Sequence, residues 1–270
     1  MGDGERIISH GIDVNTPSVA RMYDWYLGGT DNYVADRRAC RELLEVVPNT
    51  QALARNNRAF LRRVVRVLAA EYGVRQFLDH GSGLPTQDNV HQVAQAVDPS
   101  SRVVYIDNDP IVLAHGRTLL DANDETAVIQ ADMTDTKAIF GHEDVRRLIR
   151  LDEPVAALFV SVAHCIPDED DPAAMFRRVV DILPSGSFMV VCQLVSDRAD
   201  IRDHVTEFMR EATGNTWGRV REAHDVHAYL EGLEIMPPGL VEVSEWRPDA
   251  QPRFEQSDEW QEFGGLARIP

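Results

Sequence analysis

A glycine-rich turn stands at residues 77–89, where the sequence reads FLDHGSGLPTQDN. An apolar run ends there in Asp79, and Gly81 and Gly83 follow before a segment with helical periodicity. A turn between a strand and a helix exposes free backbone N–H groups, and glycine allows a ligand to approach the backbone closely. The pattern therefore predicts a loop that holds a small molecule, with Asp79 facing a cationic group or ordering the turn.

The residues around the two glycines limit which cofactor the turn can hold. A P-loop needs a lysine after its last glycine, and Lys137 is the only lysine of the chain. The dinucleotide motif needs a third glycine where Thr86 stands, and Pro85 has no N–H for a pyrophosphate. S-adenosylmethionine carries no phosphate, so it fits this turn better. NAD stays open as the less favoured alternative.

Two further acids follow the next two predicted strands. Asp107 ends the second strand, where a carboxylate can accept hydrogen bonds from both hydroxyls of a ribose. Asp132 follows the third strand and can accept from an adenine amino group, while Met133 packs on the ring. Either acid alone could be a helix cap, but three acids at three successive strand ends predict a nucleoside site. The neighbouring His80 and Asn108 are included in this predicted cofactor site.

Candidate residues for the substrate side of the site are less specific. His164 follows the fourth predicted strand, where open α/β sheets place reacting groups, and it is the candidate general base. A histidine that only hydrogen-bonds in the exit loop of the strand is the alternative. The segment YDWYLGGTDNY is aromatic and glycine-hinged, as a lid would be, or it is a packed aromatic helix with a glycine stop. The substrate-side candidates are Tyr23, Tyr26, Asn32 and Arg58, although Arg58 could equally form a surface ion pair.

The elements that would position these residues alternate between strand and helix from about residue 74 onward, which predicts a parallel sheet of βαβ units. The predicted strands are 74–80, 102–108, 126–132, 154–163 and 186–195. The predicted helices are 86–97, 110–121, 135–149, 171–182, 198–213 and 219–230. Segments 239–248 and 259–269 predict an antiparallel hairpin that closes the sheet edge. We therefore expect an α/β, Rossmann-like fold with a mostly parallel seven-stranded sheet, residues 71–270, and an N-terminal helical cap, residues 1–70.

Composition favours small-molecule chemistry. The chain has 44 acids against 27 bases and a formal charge of −17, which opposes binding to nucleic acid or anionic membranes. Three cysteines without a C-x-x-C pair indicate a reducing compartment, and no stretch approaches the roughly 18 apolar residues of a membrane span. We expect a cytoplasmic protein, and an exposed hairpin edge is compatible with a homodimer. His224 and His227 lack a compelling third ligand, so no metal site is predicted.

The sequence resembles a family of S-adenosyl methyltransferases found mainly in actinobacteria and long known only as a domain of unknown function. The matching motifs span nearly the whole chain: TPSVARMYDWYLGGTDNY, RNNRAFLRRVV, FLDHGSGLPTQDNVHQVAQ, VVYIDNDPIVLAHGRTLL, ADMTD, IPDEDDP, GLVEVSEWRPD and GGLARIP. The resemblance implies a class I methyltransferase core with an N-terminal helical cap. Thr30 stands where the family frequently has lysine, and His80 stands where it usually has an apolar residue.

The resemblance also assigns roles to residues already singled out. It places Asp79, Gly81 and Gly83 in the first cofactor motif, Asp107 at the ribose, and Asp132 with Met133 at the adenine. The expected function is S-adenosylmethionine-dependent methyl transfer to a small molecule, at oxygen or nitrogen. A non-catalytic cofactor-binding or regulatory protein is the alternative, and NAD-dependent oxidoreduction is a third and weaker one.

Overall fold

The computed structural model describes residues 13–85, 88–120, 123–249 and 259–270. Three helices come first: α1 (Val19–Tyr26), α2 (Val34–Val46) and α3 (Thr50–Ala70). Their apolar residues divide between two cores. Met22, Cys40 and Leu53 pack in one cluster with residues of the later helix at 199–212, whereas Phe60 and Val64 of α3 pack on the sheet. The long helix α3 therefore joins the N-terminal helices to the sheet.

The central sheet of the described residues has eight strands, five of them parallel. The parallel strands are β1 (Gln76–His80), β2 (Arg102–Asp107), β3 (Thr126–Gln130), β4 (Ala156–Val160) and β5 (Phe188–Val195). The others are β6 (Glu234–Ile235), β7 (Val241–Glu242) and β8 (Gln261–Arg268). The helices that follow α3 are α4 (Val90–Val97), α5 (Pro110–Leu120), α6 (Thr136–Gly141), α7 (Glu143–Leu148), α8 (Pro172–Ile182), α9 (Ala199–Ala212) and α10 (Ala223–Tyr229).

The strand order is β3-β2-β1-β4-β5-β8-β6, and β7 also pairs with β8. Every residue of β1 and of β5 is buried, because helices cover both faces of the sheet. Along β5 the side chains alternate between the two cores: Met189 and Val191 belong to one, and Val190 and Cys192 to the other. The mostly parallel, Rossmann-like fold predicted from the sequence is confirmed.

Two details differ from the sequence prediction. The predicted helix 135–149 is two helices, because the backbone of His142 is extended and its ring Nδ1 accepts a hydrogen bond from the Asp144 N–H, starting α7. The C-terminal hairpin is also rearranged. Strand β8 lies inside the sheet between β5 and β6, so eight strands replace the predicted seven. Of segment 239–248 only β7 is strand, and a 3-10 turn with buried Trp246 follows it.

Some predicted boundaries fall outside the described residues: the start of the helix at 86–97, residue 121, and the connection 250–258.

Within the described part, the strand order determines where a ligand site lies. The chain proceeds from β1 to β2 and β3 on one side and then returns to β4 and β5 on the other. The crevice between the carboxyl ends of β1 and β4 is therefore the switch point at which open α/β sheets bind ligands.

Candidate functional site

A cavity of about 680 Å³ opens over this switch point. Its floor is formed by the carboxyl ends of β1, β2, β3 and β4, and its cover by the segment before α1 and by the facing sides of α1 and α3. The volume lies in the range of small-molecule and cofactor sites. Most of the residues that the sequence assigned to a cofactor line this cavity: Asp79, Gly81, Gly83, Asp107, Asn108, Asp132 and Met133. The substrate-side candidate Arg58 lines it as well.

The glycine turn is tied to the end of β2. Gly83 N–H donates to Asp107 Oδ2 at 2.8 Å, and Gly81 N–H donates to the Ile106 carbonyl at 2.8 Å. Both glycines have positive φ, +66° and +67°, a conformation that side chains disfavour. A Cβ on Gly81 would also lie 2.6 Å from Val162 Cγ1 at the end of β4, whereas a Cβ on Gly83 would meet nothing within 4 Å.

This difference gives a matched pair of variants. Gly83→Ala adds only backbone strain and should lower the free energy of unfolding of the ligand-free protein by about 1–2 kcal/mol. Gly81→Ala adds the collision with Val162 as well and should cost about 2–5 kcal/mol. Urea denaturation measures both. Equal losses for the two variants would contradict the tight packing of β1 against β4.

Asp107 stands at the junction of the turn and the cavity. Its Oδ2 accepts from Gly83 and its Oδ1 accepts from the Asp109 N–H at 2.9 Å. Burial raises the pKa of this carboxyl. A carboxylate has about four lone-pair positions, so two backbone donors leave capacity for two ligand hydroxyls. Asn108 follows at the exposed rim of the cavity.

Asp132 and Met133 form the wall beyond β3. Asp132 Oδ1 accepts from the Thr134 N–H and hydroxyl, both at 2.8 Å, which fixes its carboxylate at the cavity edge. Met133 Cε lies 3.5 Å from the position of a Cβ on Gly81, so the thioether borders the glycine turn. An acceptor and an apolar, polarisable surface are thus adjacent, as a purine with an exocyclic amine requires.

Asp79 and Arg58 form the inner end of the cavity. Asp79 is buried, and this burial raises the pKa of its carboxyl to about 7, while the guanidinium of Arg58 opposes the rise. Arg58 reaches down from α3 and donates to Asn89 Oδ1 at 3.1 Å and to the Asp88 carbonyl at 3.3 Å. A titratable acid beside a fixed cation suits a zwitterionic ligand group.

The two candidate histidines lie outside the cavity wall. His80 stacks on Phe159, with ring centroids 4.1 Å apart, and burial lowers its pKa to about 4. Successive strand residues point to opposite faces, so Asp79 and His80 cannot both reach the cavity. His164 is buried in a 3-10 turn, where Nδ1 accepts from the Leu194 N–H at 3.1 Å and burial lowers its pKa to about 3.

This geometry predicts a structural rather than a chemical effect for His164. His164→Phe removes the acceptor of a buried backbone N–H and should lower the free energy of unfolding by about 1–3 kcal/mol. Donor affinity should not change. The exposed His204 on α9 is the control, and His204→Phe should stay within about 0.5 kcal/mol of the parent. If His164→Phe kept its stability and lost methyl transfer, the histidine would belong to the chemistry.

The candidate residues of the aromatic segment YDWYLGGTDNY lie partly in the cavity wall and partly in the protein interior. Tyr23 lines the cavity, and its hydroxyl accepts from Asn57 Nδ2 at 2.8 Å and donates to the Ala54 carbonyl at 3.1 Å. Tyr26 is buried against α2, with its hydroxyl 3.4 Å from the Cys40 carbonyl. Asn32 is also buried and donates to Asp24 Oδ2 at 2.8 Å. The structure therefore brings Tyr23 and Arg58 to the cavity and leaves Tyr26 and Asn32 packed among the N-terminal helices.

Sequence reasoning missed two residues beside the cavity. Ser161 follows β4 and lines the cavity, and its hydroxyl donates to Glu262 Oε1 of β8. Glu262 is completely buried. The available signal was an acid inside a segment predicted as strand. Its partner, however, lies 101 positions away in the chain and could not be read from the sequence.

The described residues contain neither a metal-ligand group nor a helix suited to span a membrane. None of their His, Cys, Asp and Glu side chains form a group of three or more suited to a metal ion. His224 instead lies near Glu222, and the ring of His227 lies beside Phe263. In the same part of the chain, no helix has the length and apolar character needed to cross a membrane.

Comparison with known proteins identifies the family. The sequence model of the family described as S-adenosyl methyltransferase matches residues 5–270 of this chain. The chain belongs to this family. A DUF574 family protein from Streptomyces avermitilis MA-4680 is 38% identical, with 96% of this chain and 99% of that chain covered and a TM-score of 0.86. A protein from Thermobifida fusca YX, provisionally named a methyltransferase, is also 38% identical, with 96% and 97% covered and a TM-score of 0.88.

No curated protein matches this sequence at significant similarity. The family nevertheless confirms the resemblance seen in the sequence, together with the cofactor S-adenosylmethionine and the activity of a methyltransferase. The residues of the cavity fit that cofactor. Asp107 offers acceptors for ribose hydroxyls, and Asp79 beside Arg58 offers opposite charges for an amino-acid group.

Proposed function

We propose that this methyltransferase binds S-adenosylmethionine across the ends of β1, β2 and β3 and methylates an oxygen or nitrogen of a small molecule. The observation that carries the proposal is the convergence of the acids from three successive strand ends in one cavity with an arginine from α3. In this arrangement Asp107 binds the ribose, Asp132 and Met133 bind the adenine, and Asp79 with Arg58 bind the amino-acid end.

This placement also locates the acceptor. The ribose at β2 and the amino-acid group at Asp79 lie on two sides of the glycine turn, so the methyl group faces the crevice between β1 and β4. When bound, the donor supplies a methyl group already activated on a sulfonium. The protein then has to orient a nucleophile and exclude water. Ser161 and Cys165 on the β4 side and Tyr23 on the cover line the space left for that nucleophile.

The charges of the wall favour a neutral or cationic acceptor. Among the described residues that line the cavity, the acids are Asp13, Asp79, Asp107, Asp109, Asp132 and Asp170, and the bases are Arg21 and Arg58. Arg21 is itself neutralised by the buried Asp36, with N to O distances near 3.1 Å. An anionic acceptor would therefore meet net repulsion, and phosphorylated or carboxylated compounds are disfavoured.

Calorimetric titration with S-adenosylmethionine and S-adenosylhomocysteine tests the donor site directly. We expect both to bind and reduced NAD not to bind. A transfer assay with methyl-labelled donor then compares panels of small amines, phenols and their phosphorylated counterparts. Label in the uncharged or cationic compounds supports the proposal. Absence of donor binding by the folded protein, or preferential labelling of phosphorylated acceptors, would overturn the corresponding part of it.

A further inference from the structure

A buried carboxyl lies directly behind the cavity wall. Glu262 of β8 has no solvent-exposed surface, and its Oε1 accepts a hydrogen bond from the Ser161 hydroxyl. Ser161 itself faces the cavity beside Val162, the residue that contacts the glycine turn. The pair therefore spans the distance between the sheet interior and the space that we assign to the acceptor.

The geometry of this pair costs the folded protein stability. Ser161 has φ +61°, a left-handed conformation that costs a residue with a side chain about 1–3 kcal/mol. Besides Ser161, the partner of the Glu262 carboxyl among the described residues is the weak thiol donor of Cys192, and no N–H or O–H group there bonds Oε2. Buried polar atoms without partners are rare and costly, and strained or unsatisfied groups concentrate at functional sites.

We propose that Ser161 and Glu262 form a relay that accepts the proton of the methyl acceptor. This inference rests on the proposed methyl-transfer function. The hydroxyl of Ser161 donates to Glu262, so its lone pairs are available to an O–H or N–H in the cavity. Ser161 would touch the acceptor as a catalytic residue, and Glu262 would act through it.

In the proposed step a methyl group and a proton both leave their original atoms. The bond between the methyl carbon and the acceptor heteroatom forms while the carbon–sulfur bond breaks, and the electron pair of the broken bond stays on sulfur. The proton of the acceptor passes to Ser161 Oγ, and the original proton of Ser161 passes to Glu262 Oε1. Glu262 begins as a carboxylate and ends as a carboxylic acid, and it returns this proton to solvent after the product leaves.

The surroundings of Glu262 make its carboxyl able to accept and release a proton near neutral pH. Burial raises its pKa to about 7. The titratable groups that face it are the Cys192 thiol from β5, the Glu242 carboxyl from β7, the Cys165 thiol after β4 and the Tyr23 phenol from α1. None of these four groups carries a positive charge, and no arginine is paired with Glu262 among the described ion pairs. A pKa near the working pH is optimal for a proton acceptor.

The first test needs no acceptor. Infrared titration of wild type and Glu262→Gln, both saturated with S-adenosylhomocysteine, isolates the carbonyl band of the protonated Glu262 carboxyl. We expect this band to titrate with a midpoint near pH 7 and Ser161→Ala to move the midpoint upward, because the hydrogen bond to the ionised form is lost. A carboxyl that does not titrate between about pH 5 and pH 9, or a midpoint unchanged in Ser161→Ala, would overturn the relay.

The second test uses phenol and aniline as probe acceptors with labelled donor. Glu262→Gln keeps the shape of the protonated carboxyl, so it should fold and bind the donor normally. We expect it to lower kcat about 10- to 100-fold and to abolish the decline of kcat below pH 7. Glu234→Gln, on the exposed strand β6 that pairs with the far end of β8, is the matched control and should keep the wild-type profile.

The outcomes separate the two proposals. If the wild type binds no donor, the proposed function fails. If the wild type transfers methyl to a probe and Glu262→Gln keeps both its kcat and its pH profile, only the relay fails. If the wild type binds donor but labels neither probe, the infrared titration decides the relay by itself.

Discussion

Replacing Asp107 with alanine should weaken the binding of S-adenosylmethionine about 100- to 10,000-fold. Each charge-assisted hydrogen bond to a ribose hydroxyl contributes about 1.5–3 kcal/mol, and two of them are lost. The variant also releases the Gly83 and Asp109 N–H groups, so the glycine turn is less well ordered. Calorimetry with S-adenosylmethionine and S-adenosylhomocysteine should show equal losses, because the two ligands share the ribose.

The matched control is Asp124→Ala. Asp124 is an exposed acid just before β3, at the opposite edge of the sheet from the cavity. The Asp124→Ala substitution changes the net charge by the same amount as Asp107→Ala. Any effect of overall charge on the binding of a cationic donor therefore appears in both variants. A loss of affinity below about 10-fold in Asp107→Ala, or a similar loss in Asp124→Ala, would remove Asp107 from the ribose site.

Donor affinity should rise with pH through about 7, and Asp79→Asn should abolish that rise. Burial raises the pKa of Asp79 to about 7, so the carboxyl of the ligand-free protein is mostly protonated below that pH and cannot attract the donor ammonium. At about pH 7.5 the ionised wild type should bind about 10- to 100-fold more tightly than Asp79→Asn. Near pH 5.5 the two proteins should bind alike. Calorimetry across this range measures both curves, below the pH at which an α-amino group loses its proton.

Stability provides an independent check on Asp79. A carboxyl whose folded pKa exceeds its unfolded value binds more protons in the native state, so its contribution to stability is lost as pH rises through about 7. Ligand-free Asp79→Asn should therefore be more stable than the wild type at about pH 8, while its donor affinity is lower. If Asp79→Asn were less stable than the wild type at that pH, the carboxylate of Asp79 would order the glycine turn and would not serve mainly to bind a cation.

The opposite effects that we expect on binding and stability have a common physical cause. The cavity holds an acid in a desolvated position where ionisation is unfavourable until a cationic ligand arrives. Arg58 lies close enough to lower the pKa of Asp79, yet its guanidinium also hydrogen-bonds Asn89 Oδ1. The cavity therefore presents an acid and a base to a ligand of both charges, and the buried acid lowers the stability of the ligand-free protein. Such a loss of stability is common at functional sites.

Much of the cofactor side could be predicted from the sequence because it depends on strand order alone. Asp79, Asp107 and Asp132 each stand at or just after the end of a parallel strand, and such ends meet at one edge of the sheet. The turn requires positive φ at Gly81 and Gly83, a conformation that few other residues adopt. The turn can therefore be recognised in the sequence from its glycines. The family membership agrees with this part of the sequence analysis.

The acceptor side depended on side-chain direction, which residue order does not specify. His164 stands near the end of β4, yet a 3-10 turn directs its ring to the Leu194 N–H and Trp217. Tyr23 and Tyr26 lie on one short helix, but only Tyr23 reaches the cavity. Three helical steps of 100° leave their side chains only about 60° apart, so the packing of α1 against α2 and α3 decides which of the two faces the cavity.

The sequence by itself determined the parallel sheet, the family and the acids at successive strand ends, because local periodicity and residue type carry that information. Only the tertiary structure decided what lies on the β4 side of the cavity. Strand β8 inserts between β5 and β6, and this long-range pairing brings Glu262 to Ser161 across 101 positions of chain. Such a contact arises from the antiparallel register of β8 with β5, in which Glu262 lies opposite Leu194, and no local pattern encodes that register.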